Sequence, residues 1–161
     1  MTQFPRLSEL AADYDAILCD VWGVIRDGSD LLPEALDALR QYRAGGGTVI
    51  LVSNSPRRAA SLESFLRQMG SGENVWDGAV SSGEGTHALL KARAPGPAFK
   101  LGPDWDDALY DGTGLDFARL EDAAFISCTG LFDWSKETPD DYVDLLTEAK
   151  LRRLDMICAN P

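Results

Sequence analysis

Ala16-Ile17-Leu18-Cys19-Asp20-Val21 and Thr48-Val49-Ile50-Leu51-Val52 are the two stretches on which the fold turns. Each is a short, nearly continuous apolar run, the pattern of a strand buried on both faces of a parallel sheet. Between them Leu32, Leu36 and Leu39 recur at helical spacing behind Pro33, and Gly45-Gly46-Gly47 ends the segment. The three pieces make a βαβ unit. A second helix is expected to start at once after the second strand, with Ser55 as N-cap, Pro56 in the first turn, an apolar stripe of Ala59, Leu62, Leu66 and Met69, and Gly70 as its end. Gly78-Ala79-Val80-Ser81 followed by a helix around Thr86 to Lys91 repeats the pattern, so the order through about residue 92 is β-α-β-α-β-α. That order predicts an α/β fold with a doubly wound, Rossmann-like parallel sheet.

Outward from this core, the Ala94-Pro95-Gly96-Pro97 stretch marks a boundary, dividing the chain into 1–93 and 94–161. Beyond it, short strands at Phe99 to Leu101, Ala123 to Cys128 and Asp155 to Ala159 alternate with acidic segments. A helix is expected from Thr138-Pro139, with Asp140 and Asp141 in its positive first turn, Tyr142, Leu145, Leu146 and Ala149 on one face, and Lys150, Arg152 and Arg153 at its end.

The 161 residues, 45% hydrophobic and 25% charged, suffice for a packed core. A net charge of −11 opposes the counterion-release electrostatics by which proteins hold nucleic acids or anionic membranes, so neither is an expected partner. Cys19, Cys128 and Cys158 show no zinc-site spacing and read as reduced, buried thiols. Residues 1–12 lack a signal-peptide apolar stretch and no segment is long enough to span a bilayer, which makes the cytoplasm the expected location.

Right-handed crossovers make the first two strands parallel, so Asp20 and Ser53 emerge on the edge where open α/β sheets bind ligands. One contributes a carboxylate. The other opens Ser53-Asn54-Ser55-Pro56, where free backbone N–H groups at a helix start attract phosphate, although taken alone the same residues are more often a plain helix cap. Taken alone, a strand-end Asp such as Asp20 is more often a turn or cap residue than a nucleophile.

Asp15-Ala16-Ile17-Leu18-Cys19-Asp20-Val21-Trp22-Gly23-Val24, then Asp27-Gly28, resembles motif I of the haloacid dehalogenase superfamily, and Leu51-Val52-Ser53-Asn54-Ser55-Pro56 resembles its motif II. Leu32-Pro33-Glu34-Ala35-Leu36, Ser81-Ser82-Gly83 and Met156-Ile157-Cys158-Ala159-Asn160-Pro161 are similar to the NagD-like branch, subfamily IIA. The resemblance covers essentially the whole chain. It implies the first half of a Rossmann-like core (1–93) followed by part of a cap domain (94–161), and a Mg²⁺-dependent phosphohydrolase acting on a small phosphorylated metabolite. Asp20 takes the place of the nucleophile that forms an aspartyl-phosphate. Ser53 and Asn54 take the phosphate cradle, with Trp22, Gly23, Gly83 and Asn160 as further substrate contacts. The metal ligands implied are the Asp20 carboxylate and the Trp22 carbonyl, completed by an acidic residue from a later motif. A homo-oligomer is compatible with the family.

Two departures stand out. The family's second motif I aspartate, its general acid/base, is here Trp22, and an indole does not transfer that proton; losing such a group costs ~10²–10⁴-fold in rate. The later Lys and acidic motifs have no counterpart among Lys91, Lys100, Lys136 and Lys150, so the 161-residue chain alone is expected to be inactive or nearly so. The alternative is a non-catalytic phospho-ligand binding or regulatory module. Gly83, Gly85 and Ala88 spell GxGxxA, but after the third strand, which favours a tight turn over a dinucleotide site. His87 reads as a packing or surface residue, and Asp104-Trp105-Asp106-Asp107 as a solvated acidic face.

Overall fold

A computed structural model describes residues 6–160. They group into two compact units: the described residues up to Ser53 with Ala59–Val80, and Asn54–Arg58 with the described residues from Ser81 onward.

In the first unit, a short α1 (Leu7–Leu10) precedes β1 (Ala16–Asp20), a small hairpin of β2 (Arg26–Asp27) and β3 (Asp30–Leu31), α2 (Pro33–Ala44), β4 (Thr48–Ser53) and α3 (Ala59–Gln68). β1 and β4 pair in parallel with Asp20 opposite Val52, and β5 (Gly78–Ser81) lies on the far side of β4, giving the order β1-β4-β5. Pro33 opens α2 with a preset φ and no N–H to waste, and Leu36, Leu39 and Tyr42 are its buried stripe. The glycine run after it has a packing reason: a Cβ on Gly47 would overlap the Tyr42 ring, whose hydroxyl donates to the Tyr14 carbonyl at 2.7 Å.

The core of this unit is one cluster in which Cys19, Val49 and Leu51 from the strands meet Leu36 and Leu39 from α2 and Leu62 and Leu66 from α3. Both helices therefore cover the same face. The expectation of strands buried on both faces is corrected here, because Leu18 is 73% exposed, Val80 55% and Val52 40% on the opposite face. The physical reason lies in the strand order. The chain advances steadily from β1 to β4 to β5, and right-handed crossovers made in one direction all land on one side. The α/β architecture with a Rossmann-like parallel sheet stands, and within this unit α2 and α3 both lie on one face of it.

The helix after β4 also differs from expectation, since α3 begins at Ala59 and Ser55–Arg58 are not helical. Their backbone is held elsewhere: Gly83 N–H donates to the Ser55 carbonyl at 3.0 Å, and Ser81 Oγ donates to the Arg57 carbonyl at 2.6 Å. Tertiary bonds take the groups a helix would have used.

The second unit starts with α4 (Ser82–Lys91), capped by Ser81 Oγ accepting from Glu84 N–H at 3.1 Å. Leu90 packs with Ala98, Leu109, Tyr110, Phe125 and Ala159, which groups α4 with this unit and not with the residues before it, whereas the sequence reading divides the chain at 93/94. β6 (Ala98–Leu101), β7 (Phe125–Cys128) and β8 (Asp155–Cys158) form a parallel sheet in that order. Thr138 and Asp141 form the capping box of a 3₁₀ turn at Pro139–Tyr142 that runs into α5 (Val143–Leu151). The helix is thus present, with Tyr142 and Ala149 buried but Leu146 40% exposed. Cys128 is half-buried and Cys158 exposed, correcting the reading of three buried thiols; β8 is an edge strand.

Candidate active site

Asp20 ends β1 and Ser53 ends β4, so parallel pairing brings the carboxylate and the hydroxyl to the same end of neighbouring strands. Asp20 is exposed, and its Oδ1 accepts the Val21 N–H at 2.7 Å. Ser53 is buried. The alternation of the pleat sets Asp20 on the open face with Leu18 and Val52, and Ser53 on the covered face with Val49 and Leu51.

Trp22 and Gly23 lie in the turn that follows. Gly23 has φ +77°, a left-handed conformation for which glycine is suited, and its N–H donates to the Arg26 carbonyl at 2.7 Å. The Val21 carbonyl accepts from both Ile25 and Arg26 at 3.1 Å, while among the described residues no backbone hydrogen bond engages the Trp22 carbonyl. The Trp22 ring is 54% exposed, with the Arg26 guanidinium 4.7 Å from its centroid and 4.9 Å from that of Phe65. Sequence reasoning passed over Arg26. Its only local signal is a cation four residues after an aromatic, which becomes meaningful once the turn folds the two together.

The Asp20 carboxylate and the Trp22 carbonyl are hard oxygen donors of the kind Mg²⁺ takes. Among the described residues no three His, Cys, Asp or Glu side chains gather into a metal cluster.

The other expected site residues lie in the second unit. Asn54 is exposed and begins the non-helical segment. Gly83 is buried in the first turn of α4, where a Cβ would overlap the Pro56 and Arg57 carbonyl oxygens. Its smallness thus serves the close approach of two backbones. Asn160 is exposed and, with Arg57, Trp105, Asp106, Thr129 and Trp134, lines a cavity of about 440 Å³. The cavity sits at the carboxyl ends of β6, β7 and β8, the edge where parallel sheets bind ligands. Burial pushes the Asp106 carboxyl up from its usual range, opposed by a hydrogen bond with Thr129 and the charge of Arg57. Pro161 lies outside the described residues, so the expected Asn-Pro turn is visible only as far as Asn160.

His87, Asp104 and Asp107 keep their plain readings, whereas Asp106 is half-buried in the cavity wall. His87 Nδ1 lies 2.8 Å from the Leu109 carbonyl as a packing contact within the second unit, and Trp76 is buried in the first. Lys100 is held by Asp104 at 2.8 Å and Asp107 at 2.7 Å, which absorbs most of that acidic cluster.

No curated protein sequence matches the chain. Among solved structures, a haloacid dehalogenase-like hydrolase from Brucella suis 1330 is 42% identical with a TM-score of 0.93, covering 98% of this chain and 58% of its own. A p-nitrophenyl phosphatase from Archaeoglobus fulgidus is 21% identical (TM-score 0.65, 91% of this chain and 55% of that one). A glycerol phosphate phosphatase from Mycobacterium tuberculosis, crystallised with calcium, is 20% identical (TM-score 0.61, 93% and 44%). The last two share the fold. The chain spans little more than half the length of the Brucella protein. Residues 17–116, from β1 to the loops after β6, match the haloacid dehalogenase-like hydrolase family. With the strand-end aspartate and serine already in place, that match and the Brucella likeness make the chain a member of the haloacid dehalogenase-like hydrolase family.

Proposed function

We propose that this chain carries the nucleophile half of a Mg²⁺-dependent phosphohydrolase of the NagD-like branch, acting on a small phosphorylated metabolite in the cytoplasm. The observation that supports it most is the pairing of Asp20 and Ser53 at the same end of adjacent parallel strands in a member of this family. In this reading an Asp20 carboxylate oxygen attacks phosphorus, the alcohol leaves, and water later cleaves the aspartyl-phosphate. Ser53, Asn54 and the backbone around Gly23 hold the phosphoryl oxygens, and Gly83 contributes as a further substrate contact. Mg²⁺, held by the Asp20 carboxylate and the Trp22 carbonyl, would offset charge between carboxylate and phosphate. Residues 94–161 then act as part of a cap, and cap residues near Asn160 help choose the substrate.

A second reading has one observation in its favour. At the position of the family's acid/base stands an indole under a guanidinium, a pair that binds but does not shuttle protons. A phospho-ligand binding module would keep the cradle and lose turnover. Phosphate release from a panel of phosphomonoesters with Mg²⁺, measured on the gene-length protein and its Asp20→Asn variant, separates the two. Turnover that Asp20→Asn abolishes supports the hydrolase; a folded, ligand-binding protein with no turnover overturns it.

A further inference from the structure

We propose that Cys128 and Cys158 form an oxidisable thiol pair, a modification site that takes a peroxide-class oxidant and closes a disulfide across β7 and β8. Thirty residues apart in sequence, they are direct partners in the parallel register, Cys128 opposite Cys158. Register partners in a parallel pair project to the same face, and neighbouring strands lie about 4.8 Å apart. That spacing falls inside the roughly 4.4–6.8 Å Cα separation that a disulfide spans. The ladder holds the two together to its end, since Ala159 N–H donates to the Cys128 carbonyl at 2.8 Å.

The two thiols differ in access. Cys158 is exposed on β8, an outer strand of the sheet among the described residues, whereas Cys128 is half-buried. Burial, reinforced by the adjoining Cys158 thiol, pushes Cys128 up to about 11. Peroxide accordingly oxidises Cys158 first, giving a sulfenic acid and one water. The Cys128 thiolate then attacks the sulfenic sulfur, the S–S bond forms, and the hydroxide expelled takes up the proton Cys128 lost, giving a second water. Two electrons pass from the thiol pair to the peroxide. Thr129 and Gly130 follow Cys128, and Asn160 lies two residues beyond Cys158; all three line the cavity of this unit, so the bond would tether two of the strand ends that build it.

Hydrogen peroxide treatment of the 161-residue chain, followed by denaturing alkylation, intact mass and peptide mapping, tests the pair. The expected product has lost two hydrogens, joins the Cys128 and Cys158 peptides within one chain, leaves Cys19 as the alkylated thiol, and reverts with dithiothreitol. Closure should quicken by about tenfold per pH unit through the neutral range, as the Cys128 thiolate fraction grows. In Cys128→Ser the Cys158 sulfenic acid should persist and be trapped by dimedone. Oxygen uptake at Cys158 in the unmodified sequence with Cys128 still alkylated, or a disulfide joining two chains, would overturn the proposal. Because that outcome is read on the unsubstituted chain, a variant that fails to fold does not obscure it.

Discussion

Gly83 illustrates how a single missing carbon sets local structure. Its N–H reaches the Ser55 carbonyl at 3.0 Å, and only hydrogen occupies the space that the Pro56 and Arg57 carbonyls crowd. Gly83→Ala should therefore lower stability by about 1–3 kcal/mol, since both neighbours are backbone and give way poorly; thermal or denaturant unfolding measures it. Asp20 poses the complementary test at this scale. On the proposed mechanism Asp20→Asn preserves shape while removing the proposed nucleophile, so phosphate release by the gene-length protein should vanish with stability nearly unchanged, and a variant retaining turnover would remove Asp20 from the chemistry. Trp22→Asp restores the family's carboxyl at the acid/base position. On the proposed mechanism it should raise phosphate release, by up to ~10²–10⁴-fold if proton transfer limits the present protein.

Between elements, Asp77 fastens α2 and β4 to the entry of β5. Its carboxylate pairs with Arg43 near the end of α2, through Nη2 and through Nε at 2.9 Å, and accepts the Val49 N–H of β4 at 2.8 Å. The Arg43 hydrogen bond, then the Val49 N–H, hold the Asp77 carboxyl below its usual range. A lowered folded-state pKa means that the stabilisation is present above the unfolded-state value of 3.8 and is lost as pH falls through the lower folded value. Unfolding followed from roughly pH 5 to 3 should show a shallower acid-side loss in Asp77→Asn than in the unsubstituted protein. Equal slopes would mean that other carboxylates govern the acid limb.

Across the whole molecule, the first unit leaves Leu18, Val52 and Val80 open on one sheet face. Contiguous apolar surface of this kind drives association in water. The 161-residue chain should self-associate with rising concentration, and Leu18→Thr with Val52→Thr should shift light scattering or sedimentation toward monomer. Monodisperse behaviour of the unsubstituted chain at high concentration would contradict this. The net charge of −11 opposes such association at low salt, so added salt should strengthen it.

Much was legible from local pattern alone. Apolar runs marked β1 and β4, Pro33 and the leucine spacing marked α2, and Thr138-Pro139 with its following acids marked the 3₁₀ turn into α5, because strand periodicity, φ restriction and capping are properties of neighbouring residues. Motif order likewise brought Asp20 and Ser53 forward as a pair. Where α3 begins could not be read that way: Ser55 and Pro56 satisfy every local rule for a helix start, yet the β5–α4 turn claims the Ser55 and Arg57 carbonyls from a distance. The one-sided sheet was hidden for a similar reason, since an apolar strand looks the same whether one face or both are covered, and only strand order decides where the crossovers land. Arg26 over Trp22, and Cys128 beside Cys158, exist solely because a turn and a parallel register bring together residues whose chemistry is silent when each is read alone.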